Sequence, residues 1–469
     1  MTGDFFFLQL FGYSFAWWLG LYLIGRNPAS GQLRLTGLGL LAYALALGLD
    51  LLIFYLPAES IWPSVRQLQK LLLFLPSLYW AGTTVYLLPA EIPLRRRLLN
   101  GWSYGLLPVA IIFFLLSADS VPVNSYIADS SRMASAYLLF SAVILLPLIG
   151  GVSLLGYTFR SRRPHQPLGT LMVMTLFLIL SAGLLLYPIW PWLSRFWLVL
   201  SMGLDLVLLG LGIAILDAFD EGESLLPDML LSLDTALFST LVFAGPVALV
   251  LILASKPSGP MVGLLLVMIA LAVARQVFAT QLDTVLDRIS LAMLPALRHT
   301  RAELRTTASV LPRINNSLDP DTLDEDQFVR LTRRALSHFG DVSRLATSPL
   351  TRLPIITAKL QAQGENEGTL GRAIELKAIL TNSIERLKPP GQDQFGTSNE
   401  WRYFNALYFP YVKGLKPYSR RADHTGLDPV SQEALDWFRS SVPERTLYNW
   451  QTVAARLVAQ DLRERTPES

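Results

Sequence analysis

Residues 196–218 read FWLVLSMGLDLVLLGLGIAILDA, an apolar run with one carboxylate, Asp205, near its middle and a second, Asp217, at its end. A bilayer core is about 30 Å thick, and a helix rising 1.5 Å per residue needs roughly 20 apolar residues to cross it. This stretch is long enough, so it reads as a spanning helix. Comparable runs cover 5–25, 36–56, 70–89, 102–118, 136–159, 168–189, 231–254 and 261–280, which gives about nine spans in all. Pro76, Pro108, Pro147 and Pro246 fall inside runs. A spanning helix tolerates proline because neighbouring helices re-satisfy the freed carbonyls.

Charge is distributed unevenly along the 469 residues. Residues 1–280 hold 14 Lys+Arg and 13 Asp+Glu, whereas residues 281–469 hold 25 and 23. The chain therefore changes solvent near residue 280, from lipid to water. The fold class expected is all-α: a polytopic membrane helix bundle over 1–280, then a cytoplasmic all-helical domain. The latter divides into a linker or signalling region, 281–390, and a C-terminal domain, 391–469. A net charge of +3 gives little long-range attraction for nucleic acid. The absence of cysteine excludes disulfides, thiolate metal sites and thiol catalysis. The start Met1-Thr2-Gly3-Asp4 lacks a basic n-region, so the first run is expected to be a retained span.

Orientation follows from Lys and Arg in short loops. With the N-terminus outside, the inner loops carry Arg26, Arg34, Arg95, Arg96, Arg97, Arg160, Arg162 and Arg163. The outer loops carry Arg66, Lys70, Arg132, Arg195 and Lys256. This favours N-out and C-in. The loop 187–192 (YPIWPW) then reads as an aromatic belt at the outer interface, while the acidic loop 217–228 is neutral on orientation.

Of the carboxylates within spans, two lie deepest, Asp50 and Asp205; Asp217 and Asp234 are nearer the ends of theirs. Asp50 and Asp205 both fall roughly 9–13 Å below the outer surface at the helical rise. Charge at such depth is costly and usually faces the bundle interior. The functional reading is a shared polar pocket that binds a ligand or a proton; the structural one is a pair of packing carboxylates. No span contains lysine beyond Lys70 at the first position of the third run, which removes a retinal-type Schiff base in the bundle interior. The ninth run continues without Gly or Pro to Leu294, so an unbroken helix is expected to leave the membrane there.

Residues 302–306 (AELRT) resemble the phospho-acceptor box of histidine kinases, with Ala302 where the histidine belongs. No Gly-rich nucleotide box follows. The acidic stretch 315–326 lacks the Gly and terminal Glu of an EF-hand and reads as a helix entry capped by Asp324 or Asp326. His165, His299, His338 and His424 show no metal spacing. No catalytic constellation, cofactor site or metal site is expected.

Helices are expected over 327–339, 354–363, 368–387, 400–413 and 429–439, with a polar linker at 391–399. A turn at 440–442 leads to PERTLYNWQ, 443–451, which resembles the start of recognition helices in helix-turn-helix regulators. Such a helix places its first residues in the major groove, where Arg reads guanine and Asn or Gln reads adenine. The resemblance implies DNA contact by Arg445, Thr446, Tyr448, Asn449 and Gln451, and by Arg420 and Arg421 of the preceding basic stretch. Leu447, Trp450, Val453, Ala454 and Leu457 would face the core. Residues 401–465 carry ten basic and seven acidic side chains, a small excess for a DNA binder.

The whole layout resembles bacterial sensors with an N-terminal seven-helix membrane region, as in certain histidine kinases. There the seventh span ends in a run like Gly212-Ile213-Ala214-Ile215-Leu216. The kinase core is missing. The resemblance implies a non-enzymatic sensor in the bacterial inner membrane, acting through residues 391–469 on DNA or on a cytoplasmic protein. The lipid bilayer is then one partner and a second copy of the chain another. Transport coupled to a proton or cation at Asp50 and Asp205, and a ligand-free scaffold, are the competing classes.

Overall fold

A computed structural model describes residues 3–55, 63–89, 92–117, 135–161, 165–186, 194–254, 258–291, 293–315, 320, 323–363, 368–390, 395–419 and 426–465. Among the described residues the chain is helical, with no strand. The elements are α1 (Gly3–Arg26), α2 (Gly31–Tyr55), α3 (Pro63–Leu87), α4 (Pro93–Asn100), α5 (Leu107–Ser117), α6 (Ser135–Ser161), α7 (His165–Leu186), α8 (Arg195–Glu221), α9 (Leu226–Leu253) and α10 (Gly259–Val277). They continue as α11 (Ala279–Ser290), α12 (Pro295–Val310), α13 (Glu325–Ser337), α14 (Val342–Ala346), α15 (Pro354–Gln363), α16 (Thr369–Glu385), α17 (Arg402–Leu407), α18 (Pro429–Ser441) and α19 (Glu444–Arg465). Two compact units emerge. The first holds 1–217 and 229–286; the second holds 218–228 and 287–469.

In the first unit, eight helices among the described residues are long and apolar enough to cross a membrane, so this is a multi-pass membrane protein. The third expected span forms α3, 25 residues long, but Gln67, Gln69, Lys70, Thr83 and Thr84 dilute its apolarity. The fourth starts earlier than expected, at Leu94, and passes through a π-helical turn at Gly101–Leu106. Pro108 has no N–H for the carbonyl one turn back, which is why the helix widens just before it.

The helices α1, α2, α3, α6 and α7 pack in series, and α10 lies against both α1 and α2. Lipid gives no hydrophobic drive for this, so close packing and polar glue must supply it. Gly20 and Gly37 provide the close approach: a Cβ on Gly20 would sit 2.9 Å from the Gly37 carbonyl oxygen. The glue includes Trp80 Nε1 donating to Thr175 Oγ1 at 3.0 Å and the Tyr43 hydroxyl donating to the Val199 carbonyl at 3.0 Å. At the ends of α1 and α8, Arg26 Nε meets Asp217 Oδ2 at 3.3 Å, with both side chains almost fully buried. Tyr22 accepts a further bond from Arg26.

The unbroken helix expected from the ninth run to Leu294 is not formed. The helix is interrupted at Phe278 (φ −97°, ψ 18°) and α11 ends at Ser290. Pro295 pushes Leu294 out of the helical region (φ −125°, ψ 68°), so a new helix must start there.

The second unit has one main core. It gathers Phe328 and Leu331 of α13, Ile356 of α15, Leu376 and Ile379 of α16, Phe404 of α17, and Ala454, Val458 and Leu462 of α19. The expected boundary at 390/391 therefore runs through a single core. A smaller core joins Phe409, Ala434, Phe438, Val442 and Leu447. Asp324 caps α13 by accepting from Gln327 N at 2.6 Å, and Asp428 caps α18 in the same way at 2.9 Å. The expected helix 400–413 is α17 followed by a π-helical turn at Tyr408–Val412, where Pro410 again removes a donor.

Removing one partner of a buried ion pair leaves an uncompensated charge and costs about 3–5 kcal/mol, whereas an apolar replacement of both is near neutral. Arg26→Met is therefore expected to lower the unfolding temperature sharply in lipid nanodiscs, and Arg26→Met with Asp217→Leu to recover most of the loss.

Candidate functional site

Three groups of polar side chains stand out, two in the membrane unit and one in the second unit. Asp50 lies near the end of α2. Its carboxylate accepts from Gln69 Nε2 at 2.6 Å and Gln9 Nε2 at 3.1 Å, and Arg195 Nη2 is 4.0 Å away. The side chain is about one-third exposed. Asp205, in the middle of α8, is buried and accepts from Ser181 Oγ at 2.8 Å. The two carboxylates expected to line a shared pocket are hydrogen-bonded separately. Among the described residues they have no common hydrogen-bond partner; each is served by its own set. Tyr43, about two turns before Asp50, packs on Gly203, two residues from Asp205, and so occupies the space where α2 approaches α8. The two glutamines and Ser181 were not singled out from the sequence. Gln9 and Gln69 in otherwise apolar helices were the available signal.

The third group sits on the loop between α8 and α9, which the charge-counting reading set aside as neutral. Glu221 is buried. Arg334 grips both its oxygens, with Nε at 2.7 Å from Oε2, and His338 Nε2 lies 2.7 Å from the same oxygen. Arg330 stacks over the Phe219 ring with its guanidinium carbon 4.1 Å from the centroid. Gly222 makes the turn at φ +73°, a left-handed conformation in which a side chain would be strained. Ser224 N donates to the Arg313 carbonyl at 2.8 Å, and Arg313 Nε reaches Asp228 at 3.3 Å. Glu221 and Asp228 thus meet cationic partners in place of water.

His338 and Glu221 could in principle share a charge, and the carboxylate alone would favour the imidazolium. Arg334 already neutralises Glu221. Burial, with the Arg334 and Arg344 guanidiniums, pushes His338 down to about 4, so it meets Glu221 as a neutral donor.

The C-terminal segment forms two consecutive helices, α18 and α19, joined by Val442 and Pro443. The Tyr418 hydroxyl donates to the Val442 carbonyl at 2.6 Å and fastens the turn. Of the side chains expected to read bases, Arg445, Tyr448 and Asn449 are exposed and Thr446 is half-buried. Gln451 is not available. It is buried and donates to the Ala406 carbonyl at 3.2 Å, because the inward stripe of α19 runs Leu447, Gln451, Ala454, Val458, Leu462. Val453 is exposed and Leu457 half-buried, so the core face is rotated from the one expected. Trp450 is half-buried and stacks on Trp437, with centroids 6.1 Å apart. Arg420 and Arg421, expected to contact DNA, lie outside the described residues, as does the 187–192 belt. Beside α18, a cleft of about 420 Å³ is lined by the aromatic rings of Phe404, Tyr408 and Phe409 and by the charged Glu385, Lys388, Lys413 and Asp428.

Comparison with family models, with curated proteins and with solved structures gives no match.

The unfolded chain protonates His338 near its ordinary pH of about 6.5, whereas the folded group stays neutral down to about 4. Its contribution to stability is therefore complete above about pH 6.5 and is lost as the pH falls towards 4. The unfolding temperature of the whole chain is expected to fall across that window, and His338→Gln to flatten the slope. An equal slope in both proteins would show that another group carries it.

Proposed function

We propose that this chain is a non-enzymatic membrane signalling protein, N-terminus outside and C-terminus in the cytoplasm, whose membrane bundle controls a helical output domain. The observation that carries the reading is α8. It is one unbroken helix of 27 residues that bears the buried Asp205 in its membrane portion and the clamped Glu221 at its last residue. Sixteen residues of helix separate the two, about 24 Å. A change in the charge or bonding of Asp205 displaces α8, and the displacement reaches Arg334 and His338 on α13, whose other face builds the main core. The ninth span, broken at Phe278, is less suited to that task.

The output surface is best read as a protein-docking one. The exposed N-terminal face of α19 mixes Glu444 and Arg445 with Tyr448 and Val453, and the cleft beside α18 is lined by Phe404, Tyr408 and Phe409. Tyr and Arg are the side chains that dominate protein interfaces. A DNA reading retains one specific support, the exposure of Arg445 and Asn449 on the first turns of α19. Binding of the full chain to random duplex DNA at two salt concentrations separates them. Salt-insensitive or absent binding fits a protein partner; salt-sensitive binding lost with Asn449→Ala would establish DNA contact.

Hydrogen exchange tests the coupling itself. Asp205→Asn, which keeps the shape of the side chain, is expected to change exchange protection at residues 219–224 and 330–338 of the chain in nanodiscs. Unchanged protection at both segments would remove α8 as the link.

A further inference from the structure

The last span leaves an apolar face that continues beyond the membrane. On α10 the exposed positions are Leu264, Val267 and Leu271, facing lipid as expected of a spanning helix. The helix is 19 residues long, about 28 Å, so it uses up the hydrocarbon thickness by Val277. The chain bends at Phe278 but its hydrogen bonds carry on: Phe278 N donates to the Ala274 carbonyl and Leu282 N to the Phe278 carbonyl. The stripe therefore keeps its register into α11, as Leu282, Val285, Leu286 and Ile289, and then Met293 in the turn. Ile289 is 71% exposed and Met293 94%, values that water would penalise for side chains of this size. The opposite face of α11 is already committed. Asp287 is buried there, with Arg301 at 2.9 Å and Arg305 at 2.6 Å.

Two occupants suit such a stripe, a second copy of the helix or the bilayer itself. Arg275 decides between them. It is exposed and lies in line with the stripe, between Leu271 and Phe278. A second copy packed about a two-fold axis would set two guanidiniums against each other, whereas lipid phosphates supply the opposite charge. Arg288 and Arg298 are exposed further along. An amphipathic helix lying in a membrane surface has this pattern, an apolar face in the acyl boundary and Arg among the headgroups.

We propose that the apolar face of α11 and of the turn after it is seated in the headgroup–acyl boundary of the leaflet at which α10 ends, with lipid phosphates at Arg275, Arg288 and Arg298. The segment that opens the second unit is then tied to the membrane by lipid as well as by covalent chain. Phospholipid composition becomes an input to that unit, independent of the bundle's own carboxylates.

The absence of native cysteine makes the test direct. Single variants Ile289→Cys and Met293→Cys, with Thr284→Cys on the other face of α11, are spin-labelled in the full chain. The chain is held in nanodiscs of phosphatidylcholine and phosphatidylglycerol. Leu264→Cys provides the lipid reference and Ala308→Cys the water reference. The expected result is loss of nickel-chelate accessibility with retained oxygen accessibility at 289 and 293, as at 264, and water-like behaviour at 284, as at 308. Water-like accessibility at 289 and 293 would overturn the proposal. So would dipolar broadening at 289 between copies, which would place a second chain on the stripe. All five sites are exposed, so the labels leave the fold intact, and the 264 and 308 references report on it within the same experiment.

Discussion

A buried carboxylate needs its partners, and the loop between α8 and α9 is organised around that requirement. Glu221 is removed from water with Arg334 and His338 already in place to receive it. Leaving it there without them would cost several kcal/mol. This fixes where α8 can end, forces the turn at Gly222, and makes residues 218–228 part of the second unit although they connect two membrane helices. The chain therefore passes between the units three times: at the end of α8, at the start of α9, and in α11.

Within the membrane unit the same economy holds in a different solvent. Lipid offers neither water for polar groups nor a hydrophobic drive for packing. Small residues at Gly20 and Gly37 bring backbones together, and Tyr43, Thr175 and Ser181 bond to backbone carbonyls or to a specific side chain. Arg26 and Asp217 satisfy each other at the helix ends. Asp217 and Glu221 lie one turn apart on α8 and are engaged by different units, which concentrates the charge-mediated contacts of that helix at its exit from the bundle.

Apolar run length carried the architecture in the sequence, because bilayer thickness imposes one dimension on every span. The all-α class and the multi-pass character followed from it, and Asp324 was legible as a cap from local pattern alone. Pro108 and Pro410 were expected inside helices and lie there, each at or beside a π-helical turn that run length did not announce, whereas Pro295 ends a helix that apolar spacing alone extends. The candidate site was less legible. Asp50 and Asp205 stood out because charge in lipid is rare, but their partners, Gln9, Gln69 and Ser181, come from other helices and no local pattern assigns them. Gln451 looked like a base reader because its helix begins like a recognition helix, and only tertiary packing shows that its amide is used on Ala406. Glu221 was hidden among neighbouring acids, since its distinction is the burial that Arg334 and His338, more than a hundred residues later, make possible.

The central claim is that α8 carries changes at Asp205 to Glu221. Substitutions about 24 Å apart with no shared partner normally act additively. A double-mutant cycle of Asp205→Asn and Glu221→Gln, read as the opening free energy of α13 by hydrogen exchange in nanodiscs, tests this most directly. Coupling through α8 gives an interaction energy of about 0.5 kcal/mol or more. Additivity within about 0.3 kcal/mol would contradict it, and would leave the membrane bundle and the second unit as independently responding parts.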